Sequence, residues 1–177
     1  MRYLIFIFFL FIIKVNSQNL VEYKVDEFFK LNLPEKKVEI DTLNYRMIVS
    51  IISNGKIIIL KALNTPDNIN ILNKKELINS YEAFHRGVIK KMKGDFISEE
   101  TIKFKGVLID KLSFKSTQDN IIQEIESYAF YLENHYYTIQ FLRQENDDVV
   151  YDKYKEEILA SISFDSKLTI KNQYTKR

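Results

Sequence analysis

Tyr45-Arg46-Met47-Ile48-Val49-Ser50-Ile51-Ile52-Ser53-Asn54-Gly55-Lys56-Ile57-Ile58-Ile59-Leu60 is the stretch on which the fold turns. Tyr45, Met47, Val49 and Ile51 alternate onto one face of an extended strand. Ser53-Asn54-Gly55-Lys56 then supplies a turn, because Asn-Gly accepts positive φ at both central positions of a type I′ turn, whose twist matches the flanking strands. Beyond it, Ile57-Ile58-Ile59-Leu60 is apolar on both faces, the pattern of a central strand covered on both sides. The reading is a β-hairpin, and the other elements are arranged around it.

Before the hairpin, residues 25–33 fit a short helix or a strand stopped by Pro34, and residues 37–42 fit a further strand. After Pro66 the apolar period changes from two to about 3.6. Leu77, Tyr81, Phe84, Val88 and Met92 form one face of a long helix. Asn73 with Glu76 resembles a capping box at its start. Arg86, Lys90, Lys91 and Lys93 suit the negative end of its dipole, and Gly94 offers a left-handed stop. Ile102 and Phe104 then alternate with Lys103 and Lys105. Val107 and Ile109 share one parity and Leu112 and Phe114 the other, so a β-bulge is expected near Asp110-Lys111. Residues 121–132 and 136–142 flank Glu133-Asn134-His135 as a second hairpin. A closing helix starts at Asp147 or Asp148 and runs through Tyr154 and Ile158 into Ile162. This order predicts an α+β fold, an antiparallel sheet of about six strands with a long central helix and a C-terminal helix packed on it.

Three segments resemble the PsbP-like superfold: Phe29-Lys30-Leu31-Asn32-Leu33-Pro34, the strand Tyr136-Tyr137-Thr138-Ile139, and the ending Ile158-Leu159-Ala160-Ser161-Ile162-Ser163-Phe164. With the element order, the resemblance covers roughly residues 25–164. That superfold includes photosystem extrinsic proteins, bacterial periplasmic proteins and a eukaryotic Ran-release factor, which are mostly binding or assembly factors. The resemblance implies a non-enzymatic module and carries no catalytic residue.

The N-terminus sets the expected compartment. Arg2, an apolar run from Leu4 to Ile13 and small residues before a polar stretch describe a secretory signal peptide over residues 1–17. The run is shorter than the roughly 20 residues needed to span a bilayer. One α+β domain is expected over residues 18–165, followed by a frayed basic tail over residues 166–177. The full chain of 177 residues carries 26 basic and 24 acidic side chains. Losing Arg2 and Lys14 with the leader balances the charge, which argues against nucleic acid as a partner. The absence of cysteine excludes disulfides, thiolate metal sites, a cysteine nucleophile and lipidation at an N-terminal cysteine.

Chemistry-bearing motifs are sparse. His85 sits beside the apolar face of the long helix with Ile89, not a ligand, four residues on, and reads as a boundary residue. His135 falls at a hairpin tip, where Glu133 alone does not complete a metal site. Glu124 and Glu126 share a strand face, which suits a carboxylate pair for a cation or for acid–base work, or simply a solvated row. The isolated glycines make neither a nucleophile elbow nor a phosphate loop. Tyr128, Tyr131, Tyr136, Tyr137, Tyr151 and Tyr154 are dense enough for a partner face or for half-buried strands, with Tyr128 and Tyr136 a possible cross-strand pair.

Three functions follow as expectations. The first is an exported, non-enzymatic binding or assembly module with an envelope or extracellular protein partner, no cofactor and no stable membrane span after leader removal. The second is a secreted hydrolase-type enzyme using Glu124, Glu126 and His135. The third is a small carrier of an apolar ligand, which requires a dry cavity of roughly 300 Å³ or more.

Overall fold

The computed structural model describes residues 19–63, 74–118, 121–133, 135–144 and 149–165. The expected leader, the caps at Asn73 and at Asp147 or Asp148, and the basic tail lie outside the described residues. The strands are β1 (Leu20–Lys24), β2 (Phe29–Pro34), β3 (Lys37–Asp41), β4 (Tyr45–Ile52), β5 (Gly55–Ala62), β6 (Gly94–Phe104), β7 (Val107–Gln118), β8 (Ile121–Leu132), β9 (His135–Gln144) and β10 (Ser163–Phe164). The helices are α1 (Lys74–Met92) and α2 (Val149–Ser161). A seven-stranded antiparallel sheet runs in the order β3-β4-β5-β9-β8-β7-β6, beside a three-stranded sheet β1-β2-β10. The α+β expectation holds, with the strands divided between two sheets.

The large sheet is covered on both faces. On one side Ile48, Ile52, Ile57, Ile59, Phe130, Tyr137, Ile139 and Phe141 pack against Phe29, Leu31 and Leu33 of the small sheet and Tyr151, Tyr154 and Ile158 of α2. On the other, Val88, Ile89 and Met92 of α1 meet Leu112, Phe114 and Ile125, and Tyr81, Leu77 and Phe84 meet Ala129 and Tyr136. The helical stripe read from the sequence is the face of α1 that packs on the sheet. The isoleucine run of β5 is divided as its pattern requires, with Ile57 and Ile59 toward α2 and Ile58 toward α1.

Several local expectations change. The first hairpin pairs Ile52 with Gly55, so its loop is Ser53-Asn54, one residue earlier than Asn-Gly. Positive φ falls on Ser53, at 49°. Gly55 is instead a strand residue pressed under α2: a Cβ there would stand 2.2 Å from the Tyr151 ring and 2.5 Å from the Leu142 carbonyl oxygen. Gly94 follows the same rule. Lys93 takes the left-handed conformation, at φ 50°, while a Cβ on Gly94 would lie 2.6 Å from the Phe114 ring. Among the described residues, the turn with positive φ at both centres is Lys105-Gly106, at 47° and 89°, joining Phe104 to Val107.

The expected bulge at Asp110-Lys111 is absent, since β7 pairs with β8 in continuous register from Ile109 to Gln118. The change of parity reflects a strand buried on opposite faces at its two ends: Val107 and Ile109 face α2, Leu112 and Phe114 face α1. The register shift lies in β6, between Phe96 and Ser98. In β4 the core face is Ile48, Ser50 and Ile52, while Ile51 is exposed. The tyrosines are mainly core: Tyr137 and Tyr151 are buried, as are Tyr128, Tyr136 and Tyr154. Tyr128 lies opposite Ile139 and Tyr131 opposite Tyr136, so the cross-strand tyrosine pair is Tyr131 with Tyr136, ring centroids 4.9 Å apart.

The segments behind the family resemblance converge on Phe29. Phe164 pairs with it across β10 and β2, Tyr137 packs edge-on at 5.8 Å, and the Asn32 amide donates to Ser161 Oγ at 2.7 Å.

Candidate functional site

Two groups of ionisable side chains deserve comparison, one on each face of the large sheet. On the α2 face, Glu124 and Glu126 do share a side of β8, as their spacing implies. Arg143 Nε donates to Glu124 Oε2 at 2.8 Å, with Lys115 at 3.3 Å from Oε1. Lys155 donates to Glu126 Oε1 at 2.7 Å, and Tyr128 Oη donates to Oε2 at 2.9 Å. Asp152 of α2 lies 3.3 Å from Arg143. Glu124, Glu126, Arg143 and Lys155 line a cavity of about 230 Å³ that also touches Ile97 and Ser98 at the β6 bulge.

Both glutamates are held ionised. The Arg143 hydrogen bond lowers the Glu124 pKa, with burial opposing and Lys115 adding to it. Burial acts to raise that of Glu126, but Lys155, Tyr128 and Lys111 outweigh it and the net shift is downward. Neither is an acid tuned to release a proton near neutrality, which would require a raised value. His135 is not near them. It pairs with Leu132 at one end of the β8–β9 hairpin, whereas Glu124 pairs with Arg143 toward the other. Its Nδ1 meets the Glu133 carbonyl at 2.7 Å, and its ring lies 5.8 Å from that of Phe28. The Glu124, Glu126 and His135 constellation is therefore not assembled, and the carboxylate row is a half-buried ion-pair network rather than a solvated edge.

On the α1 face, His85 is 1% exposed rather than a boundary residue. The four-residue rise of α1 places it one turn beyond Tyr81, over β6 and β7. Its Nδ1 lies 2.9 Å from Glu99 Oε1 and 2.9 Å from Asp110 Oδ2. One ring nitrogen offers one proton or one lone pair, and its hydrogen bond is aligned on Glu99. Asp110 Oδ2 and His85 Nε2 are both buried without a hydrogen-bond partner. Oδ2 thus lies at ion-pair distance from His85 while its hydrogen-bonding capacity goes unused. Thr101, directly opposite Asp110 in the sheet, donates from Oγ1 to Asp110 Oδ1 at 3.0 Å. Burial presses the His85 ring toward its neutral form, but the Asp110 and Glu99 carboxylates prevail and its pKa is raised.

His85, Glu99 and Asp110 are the group of metal-ligating side chains that converges among the described residues, their donor atoms all within 4.8 Å of one another. His85 has no ligating partner four residues on in α1 because its partners, Glu99 and Asp110, come from the neighbouring strands β6 and β7. No local spacing in the sequence brings them together.

No protein-family model matches the chain, and no curated protein sequence is similar to it. Solved structures do share its architecture. The chain is similar to cyanobacterial PsbP (CyanoP) from Synechocystis sp. PCC 6803, with a TM-score of 0.60 and 10% identity over 85% of this chain and 95% of that one. LpqN of Mycobacterium tuberculosis, described as involved in cell envelope biogenesis, gives a TM-score of 0.46 and 13% identity, over 82% of this chain and 90% of its own. The likeness to CyanoP establishes a PsbP-like fold; at such identity it establishes the fold alone.

Proposed function

We propose that the chain is an exported, non-enzymatic α+β module that works by shape-complementary contact with a protein or another envelope component. The observation that carries this reading is the state of the α2-face network. Its carboxylates are paired with Arg143, Lys155, Lys115 and Tyr128, an arrangement that stiffens a scaffold and leaves neither glutamate poised for proton transfer. The PsbP-like fold supports the reading through the binding and assembly roles its superfold implies. Export is supported by the apolar N-terminal run, with residues 18–165 proposed as one domain and residues 166–177 as a basic tail. No helix among the described residues is long and apolar enough to cross a membrane.

A carrier role has less support. The more apolar cavity, among Ile102, Phe104, Ile109, Tyr128, Ile139 and Leu159, has a volume of about 200 Å³, below the roughly 300 Å³ at which small-molecule pockets usually begin.

The test is cell fractionation with mass spectrometry of the native chain, followed by cross-linking in intact cells. The expected result is a new N-terminus at Gln18 in the exported fraction and one stoichiometric envelope partner. An intact Met1 terminus in the cytosolic fraction overturns export. A turnover activity that survives purification and is lost on Glu124→Gln or Glu126→Gln overturns the non-enzymatic reading.

A further inference from the structure

We propose that His85 Nδ1, Glu99 and Asp110 form a binding site for one divalent transition-metal cation of the zinc and manganese class. Three observations carry this. The first is the donor set: one imidazole nitrogen and two carboxylates from three elements, with donor atoms within 4.8 Å of one another. The second is an unmet valence. Asp110, its side chain 3% exposed, directs Oδ2 to within 2.9 Å of His85 Nδ1, yet that oxygen has no hydrogen-bond partner. The third is orientation. Thr101 Oγ1 holds the other Asp110 oxygen at 3.0 Å, the kind of outer contact that aims a ligating carboxylate.

Charge favours a cation over a proton. Two carboxylates around one imidazolium leave a net negative charge beside a buried ring, whereas two carboxylates, a neutral imidazole and a divalent ion sum to zero. The imidazolium also buries a charged Nε2–H without an acceptor, which costs more than burying the neutral one left by a metal on Nδ1. Ligand atoms about 2.0–2.2 Å from a tetrahedral ion stand about 3.3–3.6 Å apart. The two 2.9 Å separations therefore open by about 0.4–0.7 Å, and the Glu99–Asp110 separation, within 4.8 Å, closes toward the same value as the partly exposed Glu99 side chain turns in. The Glu99 side chain is 29% exposed, so the ion enters past it, and three protein ligands leave a coordination position for water. Nitrogen with oxygen donors selects zinc or manganese over calcium, which takes six to eight oxygens.

The experiment is isothermal titration of the chelator-stripped chain with ZnCl2 and, separately, MnCl2. Saturable binding of one ion per chain is expected. Glu99→Gln, at a partly exposed position that keeps the fold, lowers the affinity at least about tenfold. Asp110→Asn, which retains an acceptor for Thr101, does the same. His135→Ala and Glu124→Gln bind as the parent does. Absence of saturable one-to-one binding by the parent chain overturns the proposal. So does unchanged affinity in folded Glu99→Gln and Asp110→Asn, or loss of binding in His135→Ala.

Discussion

Asp26, half-buried with its side chain 13% exposed, and Asp110, buried, are treated in opposite ways. Asp26, between β1 and β2, has all of its hydrogen-bonding capacity engaged. Its Oδ1 accepts from the Phe28 amide at 2.9 Å and the Phe29 amide at 3.1 Å. Its Oδ2 accepts from Tyr137 Oη at 2.6 Å and lies 2.7 Å from Lys61 Nζ. One carboxylate thus joins the small sheet to β5 and β9. Asp110 shares a single imidazole with Glu99 and keeps an oxygen unsatisfied. A fully bonded buried charge is a structural joint. An under-bonded one beside a second carboxylate is a place shaped for a further positive charge.

That contrast is breakable. Asp26→Asn has the largest expected effect, because it leaves the Lys61 ammonium, 12% exposed, without its counter-charge. Hydrogen bonds to a charged group contribute about 1.5–3 kcal/mol, and with several of them weakened at once in this half-buried pair a loss of about 3 kcal/mol is expected, read as the shift of a urea unfolding midpoint. A change below 1 kcal/mol would reduce Asp26 to an ordinary surface acid.

The same variant has a pH signature. Burial acts to raise the Asp26 pKa, but the hydrogen bonds from Lys61, Tyr137 and the Phe28 amide prevail and the folded-state value is lowered. A lowered carboxylate contributes stability that is complete above its unfolded value, roughly pH 4, and is lost as pH falls through the folded value. Unfolding free energy measured from neutrality into acid should therefore fall less steeply for Asp26→Asn than for the parent.

Gly55→Val comes next. Its Cβ meets the Tyr151 ring and the Leu142 carbonyl, and overpacking of this kind costs about 1–3 kcal/mol. Because the clash is with α2 and not within the turn, Tyr151→Ala in the same chain should recover part of the loss in a double-mutant cycle. Strict additivity would return the explanation to backbone conformation. Asp110→Asn in metal-stripped protein is smaller, about 1 kcal/mol or less. It removes one of two like charges and leaves the Thr101 bond an acceptor, and equality with Asp26→Asn in the same urea series would erase the contrast. Glu124→Gln is least, below about 1 kcal/mol, since a pair about a quarter exposed is screened by water. Its thermal midpoint should stay close to that of the parent.

The sequence disclosed what periodicity and chain direction control. The stripe from Leu77 to Met92 and the two-sided run from Ile57 to Leu60 appear in the structure as read, because each answers to one adjacent face. Contacts made across space were hidden. Asp26 and Asp110 look like any loop or strand acid, and nothing near His85 in the chain announces Glu99 or Asp110. Gly55 and Gly94 were legible as glycines but not in their reason. A missing side chain serves a left-handed φ and a close approach equally well, and only Tyr151 and Phe114, from distant elements, decide between them. The double parity of β7 misled for a related reason: a bulge and a strand buried on opposite faces at its two ends leave the same mark on a pattern.

The pairing of β2 with β10 sets the timetable of folding. Phe29 finds its neighbour Phe164 only when all the strands and both helices between them have been synthesised, and closing so long a loop precedes any gain from the contact. Until then the small sheet lacks its third strand and the buried side of the seven-stranded one stays uncovered by α2. A nascent chain that cannot complete its own lid is slow to become compact, and its apolar inner face stays open to solvent for as long as the last strand is missing.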